Sequence, residues 1–354
     1  MGRGRRWIHG PPRPLHPLRP GASVTLGGEA SRIRAFLQGL QRPASVQVGA
    51  GEDDAAVLSD GRVVTCDLSL EGVHFSLDWI SPREAGARAV AASVSDLAAM
   101  GARPEGILAA LVVPSRREDP DLDLQVMEGV RSAAARWDAP LLGGDLVRAP
   151  RDEDRVALDI TALGRASRPL LRSGARPGDR LWVSGELGAA AAAVEAWQEG
   201  RGPGPALRQA FVDPVPRLEL GRRLGVADGV RAALDLSDGL STDAHRMAAA
   251  SGVGLLLEAE RIPVARGARL HHALHGGEDY ELLVAISSDI PVTRVEQWAR
   301  GLDVSLSPIG GVVEGTGVHL AGDPGGPGGQ KGGVRPLAPG GWDPFRDEEG
   351  EGEG

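Results

Sequence analysis

The sequence predicts an α/β (or α+β) protein of two domains, each built on a sheet. Strand-like and helix-like segments alternate through most of the 354 residues, as they do in proteins that layer helices on sheets. The length also exceeds what one hydrophobic core usually supports. Residues 164–179 form a linker-like stretch rich in Gly, Arg and Pro. We therefore place the domain boundary there.

Local signals define each element. Ser81 and Pro82 supply a helix N-cap and a first-turn proline, and Pro104 follows the expected helix end at Gly101. Short or alternating apolar runs indicate the strands. The expected N-terminal elements are strands at 62–67, 140–142 and 156–163 and helices at 82–101 and 121–137. The expected C-terminal elements are strands at 180–183, 232–236, 253–257, 280–286 and 304–309, and helices up to Leu224, at 238–251 and at 292–301.

These elements divide the chain into four segments. Residues 1–22 carry five arginines and no acid, and we expect a disordered basic tail there, with the true start of the protein near Val24. The N-terminal domain spans 23–165 and the C-terminal domain 166–321. The remainder, 322–354, is first Gly/Pro-rich and then acidic, and we expect it to be loose.

Composition excludes several classes of function. The formal charge is -9, and because the two tails cancel, the acidic body disfavours nucleic acid or an anionic membrane as a partner. Cys66 is the only cysteine, which rules out an internal disulfide framework or a zinc cluster and fits the reducing cytoplasm. No run approaches the roughly 20 apolar residues of a membrane span. The single lysine, Lys331, lies outside any phosphate-binding motif of the P-loop or protein-kinase type.

Carboxylates beside glycines or at strand ends are the strongest chemical signal. Scattered along the chain and gathered only by folding, such groups indicate divalent metal binding, and hard carboxylate oxygens suit Mg²⁺. The expected chemistry is phosphoryl transfer. The six segments are Gly51–Asp54, Thr65–Asp67, Ser95–Leu97, Gly143–Asp145, Asp235–Gly239 and Gly276–Tyr280.

Each segment also has a plainer interpretation. Asp53–Asp54 and Gly143–Asp145 could be simple turns, and Asp238 could be only a helix N-cap. Asp96 could face solvent, although it lies in a helix of small and apolar residues, where an unpaired charge is costly. His74 could be an ordinary loop residue, and Glu278 and Tyr280 ordinary strand-end residues.

The residues of these motifs and their order along the chain resemble those of the thiamine-monophosphate kinase family. The resemblance rests on Gly51-Glu52-Asp53-Asp54-Ala55-Ala56-Val57-Leu58, Glu71-Gly72-Val73-His74-Phe75, Ser95 to Gly101, Gly143-Gly144-Asp145, Arg172 to Ala175, Asp235 to Leu240, Gly276 to Leu282 and Gly341-Trp342-Asp343-Pro344-Phe345. It covers about residues 24 to 345. It implies the two-domain fold of aminoimidazole ribonucleotide synthetase, with N-terminal sheets pairing across a homodimer and ATP beside the N-terminal sheet.

The resemblance also implies roles for individual residues. Asp96 and Asp145 would act as a metal clamp, and no general base is needed because the acceptor phosphate is already anionic. The ATP contacts would be Gly144, Asp145, Arg172, Ser237 and, as the nearest candidate beside adenine, Met127. The acceptor contacts would be His74, Glu278 and Trp342. The residues at several Mg²⁺ ions would be Asp54, Thr65, Cys66, Asp67, Asp96, Asp145, Asp235 and Asp238.

The implied reaction is direct in-line transfer of the ATP γ-phosphoryl to thiamine monophosphate, giving thiamine diphosphate in the cytoplasm. Cys66 departs from the family, which usually has a hydroxyl residue there; a thiol is a poor Mg²⁺ ligand, so either the backbone carbonyl serves or one metal is weakened. The alternatives are a sister ATP-using enzyme of the same fold and a nucleotide-binding regulator without catalysis. The acceptor residues His74, Glu278 and Trp342 argue against the regulator, since a pure ATP sensor needs no acceptor pocket.

Overall fold

A computed structural model describes residues 28–115, 119–150, 155–322, 333–341 and 345. The predicted two-domain α/β fold is confirmed: these residues form one sheet of six strands and one of seven, with helices packed against both. The described part of the chain contains no helix of the length and apolarity that a bilayer crossing requires.

The first sheet and its helices come from the N-terminal half. Its strands lie in the order β1-β2-β3-β6-β4-β5, and only β4 and β5 run parallel. The strands are β1 (Val46–Val48), β2 (Ala56–Leu58), β3 (Arg62–Leu70), β4 (Arg103–Val113), β5 (Leu141–Arg148) and β6 (Ala157–Arg165), and the helices are α1 (Glu29–Leu37), α2 (Pro82–Ala99) and α3 (Leu122–Arg136).

The second sheet comes from the C-terminal half, in the order β13-β12-β9-β11-β7-β10-β8. Its strands are β7 (Arg180–Ser184), β8 (Val230–Asp235), β9 (Gly254–Glu258), β10 (Leu282–Ile286), β11 (Leu306–Val313), β12 (Gly317–Ala321) and β13 (Val334–Pro336). The helices are α4 (Ala189–Gln198), α5 (Pro205–Val212), α6 (Leu218–Val226), α7 (Leu240–Ser251), α8 (Leu270–His275) and α9 (Val292–Ala299).

Helix α2 lies between the two halves and packs against β3 and β6 of the first sheet and β8 of the second. A capping box between Ser81 and Glu84 starts it, as the N-cap signal predicts. Its small residues let neighbouring helices approach closely. A Cβ on Gly86 would lie 2.1 Å from the Val126 carbonyl oxygen of α3, and one on Gly221 of α6 would lie 2.0 Å from that of Ala98. The helix is therefore buried on several sides.

The structure corrects several predicted boundaries. Strand β4 was not predicted. Strand β5 continues to Arg148, so Asp145 lies within a strand rather than after one, and β3 continues to Leu70, so Asp67 lies inside β3 rather than at its end. The predicted loose tail contains β13, which pairs with β12. Helix α7 begins at Leu240 after Gly239, at φ +105°, so Asp238 is not its N-cap.

Candidate active site

A cleft of about 1800 Å³ is lined by residues of both halves. Four buried or half-buried carboxylates lie together there, each from a different element: Asp54 from the β1–β2 loop, Asp67 from β3, Asp96 from α2 and Asp235 from β8. The folding that joins the two sheets thus gathers acids that are more than 180 residues apart in sequence. This is the convergence that the motifs predicted.

Hydroxyl groups hold two of these carboxylates. The Thr65 hydroxyl donates to Asp96 Oδ2 at 2.5 Å, so Thr65 points toward α2. Asp67 lies two residues further along β3 and therefore points to the same face. The neighbouring residue of α2, Ser95, donates its hydroxyl to Asp235 Oδ2 at 2.6 Å. This bond joins α2 to β8 and so joins the two halves of the cleft.

Burial raises the pKa of every carboxylate in this group. The pKa of Asp67 rises to about 6. The pKa values of Asp96 and Asp235 rise well above the ordinary range, first through burial and then through repulsion from the other acids. The pKa of Asp54 is raised chiefly by burial. Neutralising these charges, by protons or by cations, therefore favours the folded state.

The donor set fits divalent cations. Oδ2 of Asp54 and Oδ2 of Asp67 are buried with no hydrogen-bond partner among the described residues, and such orphaned acceptors are costly unless something binds them. No three described His, Cys, Asp or Glu side chains are grouped so that they alone could hold one ion. Mg²⁺ commonly uses one or two carboxylates and fills its other positions with water and substrate phosphates. The arrangement therefore suits ions shared with a phosphorylated substrate.

Arg172 supplies positive charge at one side of this group. Its guanidinium donates to Asp54 Oδ1 at 2.6 Å, and its backbone N–H donates to both carboxylate oxygens of Asp53, at 3.0 and 3.2 Å. Burial, then repulsion from Asp54, raises the pKa of Asp53 to about 7. Asp53 thus fixes the backbone of Arg172 at the cleft wall.

Asp238 lies at another side of the cleft, ion-paired with Arg246, which also bonds Asp243 Oδ1 at 2.6 Å. Ser237, beside Asp238, lines the same wall. The segment is held by a neighbouring loop, 276–280, through close backbone contacts. A Cβ on Gly277 would lie 2.4 Å from the Ser237 carbonyl oxygen, so a glycine is required there.

The loop 276–280 carries Glu278. The Glu278 N–H donates to the Ser237 carbonyl at 2.8 Å, and the Tyr280 hydroxyl donates to Glu278 Oε2 at 2.6 Å. Burial, then Glu278, raises the pKa of Tyr280 well above its ordinary value, so the phenol stays a donor. Arg88 of α2 pairs with the same Glu278 oxygen.

Aromatic rings extend this end of the cleft. Trp79 stacks on Trp197 with ring centres 5.3 Å apart, Trp197 meets Phe211 edge-on, and the Arg88 guanidinium lies 3.9 Å above Phe211. His74 lies nearby, and its Nδ1 accepts the Leu70 N–H at 3.1 Å. Burial lowers the pKa of His74, so the neutral ring carries its proton on Nε2.

Several predicted site residues are not brought to this group. Asp145 and Gly144 lie on β5, the exposed edge of the first sheet, and neither is among the described cleft residues. In the strand pairing, Gly144 lies opposite Ala109 of β4, Ala109 opposite Ile160 of β6, and Ile160 opposite Asp67 of β3. Gly144 is therefore three strand spacings, or roughly 14 Å, from Asp67.

Asp145 points to the sheet face opposite to Asp67, since side chains alternate along a strand. Cys66 is among the cleft-lining residues, but it shares that opposite face, and its thiol lies 3.0 Å from Asp159 Oδ2 rather than among the four carboxylates. Met127 packs against the N-terminal core and is absent from the described cleft lining. Trp342 lies outside the described residues, although Gly341 before it lines the cleft.

Sequence reasoning missed other residues that the structure places at the cleft. These are Arg88, Trp79, Arg246 and Asp53, the last of which is a partner of Arg172. For Arg88 a signal was available, because Arg88, Ala92 and Asp96 recur at intervals of four and share one helix face. The partners of these side chains come from distant parts of the chain, which local patterns do not reveal.

Known proteins share this architecture. Residues 52–166 match the AIR synthase related protein, N-terminal domain, and residues 176–323 match the corresponding C-terminal domain. The thiamine-monophosphate kinase of Rhodopirellula baltica is 34% identical over 293 residues, 74% of this chain and 86% of that protein. That of Bacillus subtilis is 32% identical over 290 residues, 77% and 87% of the respective chains.

Solved structures agree with these matches. A thiamine-monophosphate kinase from Stenotrophomonas maltophilia K279a superimposes with a TM-score of 0.67 at 35% identity, covering 82% of this chain and 94% of its own. The structure of AaThiL complexed with AMPPCP and TMP gives a TM-score of 0.74 at 27% identity, with coverage of 90% and 97%. By its sequence and its architecture, the chain belongs to the thiamine-monophosphate kinase family of AIR synthase related proteins.

Proposed function

We propose that this protein phosphorylates thiamine monophosphate with ATP, giving thiamine diphosphate and ADP. The observation that carries the proposal is the carboxylate group Asp54, Asp67, Asp96 and Asp235, which faces the same cleft as Glu278 and His74. One end of the cleft thus offers oxygen ligands for cations and the other offers groups for an organic acceptor. Relatives of this family named thiamine-monophosphate kinase, and a structure with an ATP analogue and TMP, support the choice of substrates.

The chain's residues would divide the work between binding and orientation. Arg172, together with Ser237, would contact ATP, while His74, Glu278 and Trp342 would contact the acceptor. Mg²⁺ held by the aspartates would neutralise the charge between the two phosphates when bound. The aspartate side chains and Thr65 would fix the direction of approach, so that the acceptor phosphate attacks in line without a general base.

We also propose that the protein is a homodimer whose first sheets meet face to face or edge to edge. The sheet face opposite to α2 carries exposed Leu68 and Leu108, and β5 is exposed along its whole length. A dimer covering this face would remove the apolar surface from water and would also cover Asp145. Asp145 and Gly144 could then serve a nucleotide only across the subunit interface, which reconciles their predicted role with their distance from Asp67 in one chain. A cytoplasmic location remains a prediction.

The test is direct. Purified protein is incubated with Mg²⁺, ATP and thiamine monophosphate, and thiamine diphosphate is measured by chromatography, with free thiamine as a substrate control. We expect product from the monophosphate alone, and a loss of at least about 100-fold in turnover for Asp96→Asn, since preorganised charge of this kind is worth that much. ATP binding without product would instead indicate a sister enzyme or a regulator.

A further inference from the structure

Arg88 is a charged residue almost entirely removed from water, with 4% of its surface exposed. It projects from α2 and has partners on two other elements. One guanidinium nitrogen pairs with Oε2 of Glu278 and another donates to the Phe211 carbonyl at the end of α5. A buried guanidinium is costly unless it is paired in this way, so its partners explain why it can be there.

Glu278 is held in an unusual backbone conformation. Its φ is +75° and that of Tyr280 is +52°, both in the left-handed region, where non-glycine residues are uncommon and strained. The Glu278 N–H donates to the Ser237 carbonyl, and the Tyr280 N–H to that of Leu236, at 2.8 and 2.9 Å. Strain of this kind persists where the surroundings determine the geometry, often at a binding site.

The bonds from Arg88 and Tyr280 both end on Oε2 of Glu278. Glu278 lines the cleft, and its side chain remains 25% exposed. The carboxylate is thus fixed through one oxygen, while the other is not used by these two donors. This geometry presents an oriented acceptor to a ligand that carries a donor or a positive charge.

Arg88 also lies on the same helix face as Asp96, one of the four cleft carboxylates. Arg88, Ala92 and Asp96 all line the cleft along one face of α2, and eight residues of helix correspond to roughly 12 Å. One rigid helix therefore sets the separation between the acceptor end, at Glu278, and the phosphate end, at Asp96.

We propose that Arg88 is a positioning residue for the acceptor substrate. Together with Tyr280 it fixes Oε2 of Glu278, which leaves Oε1 to receive a hydrogen-bond donor or the cationic ring of the acceptor. The ATP end of the cleft does not depend on this pair. The inference rests on the proposed function, because the acceptor is taken to be thiamine monophosphate.

The test uses Tyr280→Phe and Arg88→Lys, with Arg208→Lys as the matched control. Arg208 also joins α5 to α2, through two 2.8 Å bonds to Glu84, but it is not among the described cleft residues. We expect both test variants to raise the KM for thiamine monophosphate about tenfold, the effect of one lost hydrogen bond to a charged group. The KM for ATP should change less than twofold, and the control should leave both KM values unchanged.

A second measurement separates positioning from a general structural role. In a Glu278→Gln background, adding Arg88→Lys should change the KM for thiamine monophosphate little further, because both changes act through one carboxylate. Equal rises in both KM values, a fully additive double variant, or an unchanged KM in Tyr280→Phe would overturn the inference. If Arg88→Lys does not fold, Tyr280→Phe decides alone. A wild-type chain that neither binds nor phosphorylates thiamine monophosphate would refute the proposed function as well, whereas an active wild type with unaffected variants would refute only this inference.

Discussion

Replacing Asp67 by Asn should make the metal-free protein more stable. Asp67 Oδ2 is buried without a hydrogen-bond partner among the described residues, and the pKa of the carboxyl is raised from 3.8 to about 6. Each unit corresponds to about 1.4 kcal/mol, so ionising Asp67 in the folded state costs at most about 3 kcal/mol. Asn has nearly the same shape and no charge to bury.

The pH dependence follows from the direction of the shift. A carboxyl whose folded pKa is raised contributes stability below its unfolded pKa, and that stability is lost as pH rises through the folded value. The advantage of Asp67→Asn should therefore be small near pH 4, increase up to about pH 6, and stay constant above it. Urea denaturation in EDTA at pH 4.5 and 8, with exposed Asp303→Asn as a control for charge, measures this.

Mg²⁺ should reduce this difference in stability. Ligand binding stabilises a folded protein by about 2.7 kcal/mol at one hundred times its dissociation constant, and the wild type has the full set of carboxylates. We expect Mg²⁺ to raise the thermal midpoint of the wild type more than that of Asp67→Asn. The reasoning fails if Asp67→Asn is less stable than the wild type in EDTA at pH 8, or if Mg²⁺ shifts both midpoints equally.

Three further predictions concern contacts at or near the cleft. Ser95→Ala removes the donor to buried Asp235 and should lower the free energy of unfolding by about 1–3 kcal/mol in urea; a loss below about 0.5 kcal/mol contradicts it. Gly277→Ala places a Cβ 2.4 Å from the Ser237 oxygen and should reduce kcat/KM at least tenfold while circular dichroism stays normal. Leu108→Glu should convert a dimer into a monomer in sedimentation, whereas Val226→Glu, also on the surface, should not.

Local patterns predicted the fold class and most of its elements. The Ser81–Pro82 start of α2 is visible because capping chemistry is local. The sequence does not predict strand β4, because Gly101 indicates only the end of a helix, and the predicted β5 is too short, because paired glycines indicate a turn. In the structure, Gly144 instead allows close contact with the backbone of β4 at Ala109.

The site could be predicted only as far as its residues occur in motifs. Motifs identified Asp54, Asp67, Asp96 and Asp235, which the fold brings together. They could not reveal that Cys66 and Asp145 point to the other face of the sheet, because that depends on the register of β3 and β5. Nor could they reveal Arg88, whose partners lie 123 and 190 positions away.

Helix α2 has a consequence for how the protein can move. Its contacts with β3, β6, β8 and α6 make it part of both hydrophobic interiors, and the Ser95–Asp235 bond adds a polar tie between them. A hinge between the sheets would have to break this packing. We therefore expect the two halves to behave as one body during turnover. Any movement that admits substrate or releases product then has to come from other cleft-lining segments, such as α1 and Gly340–Gly341.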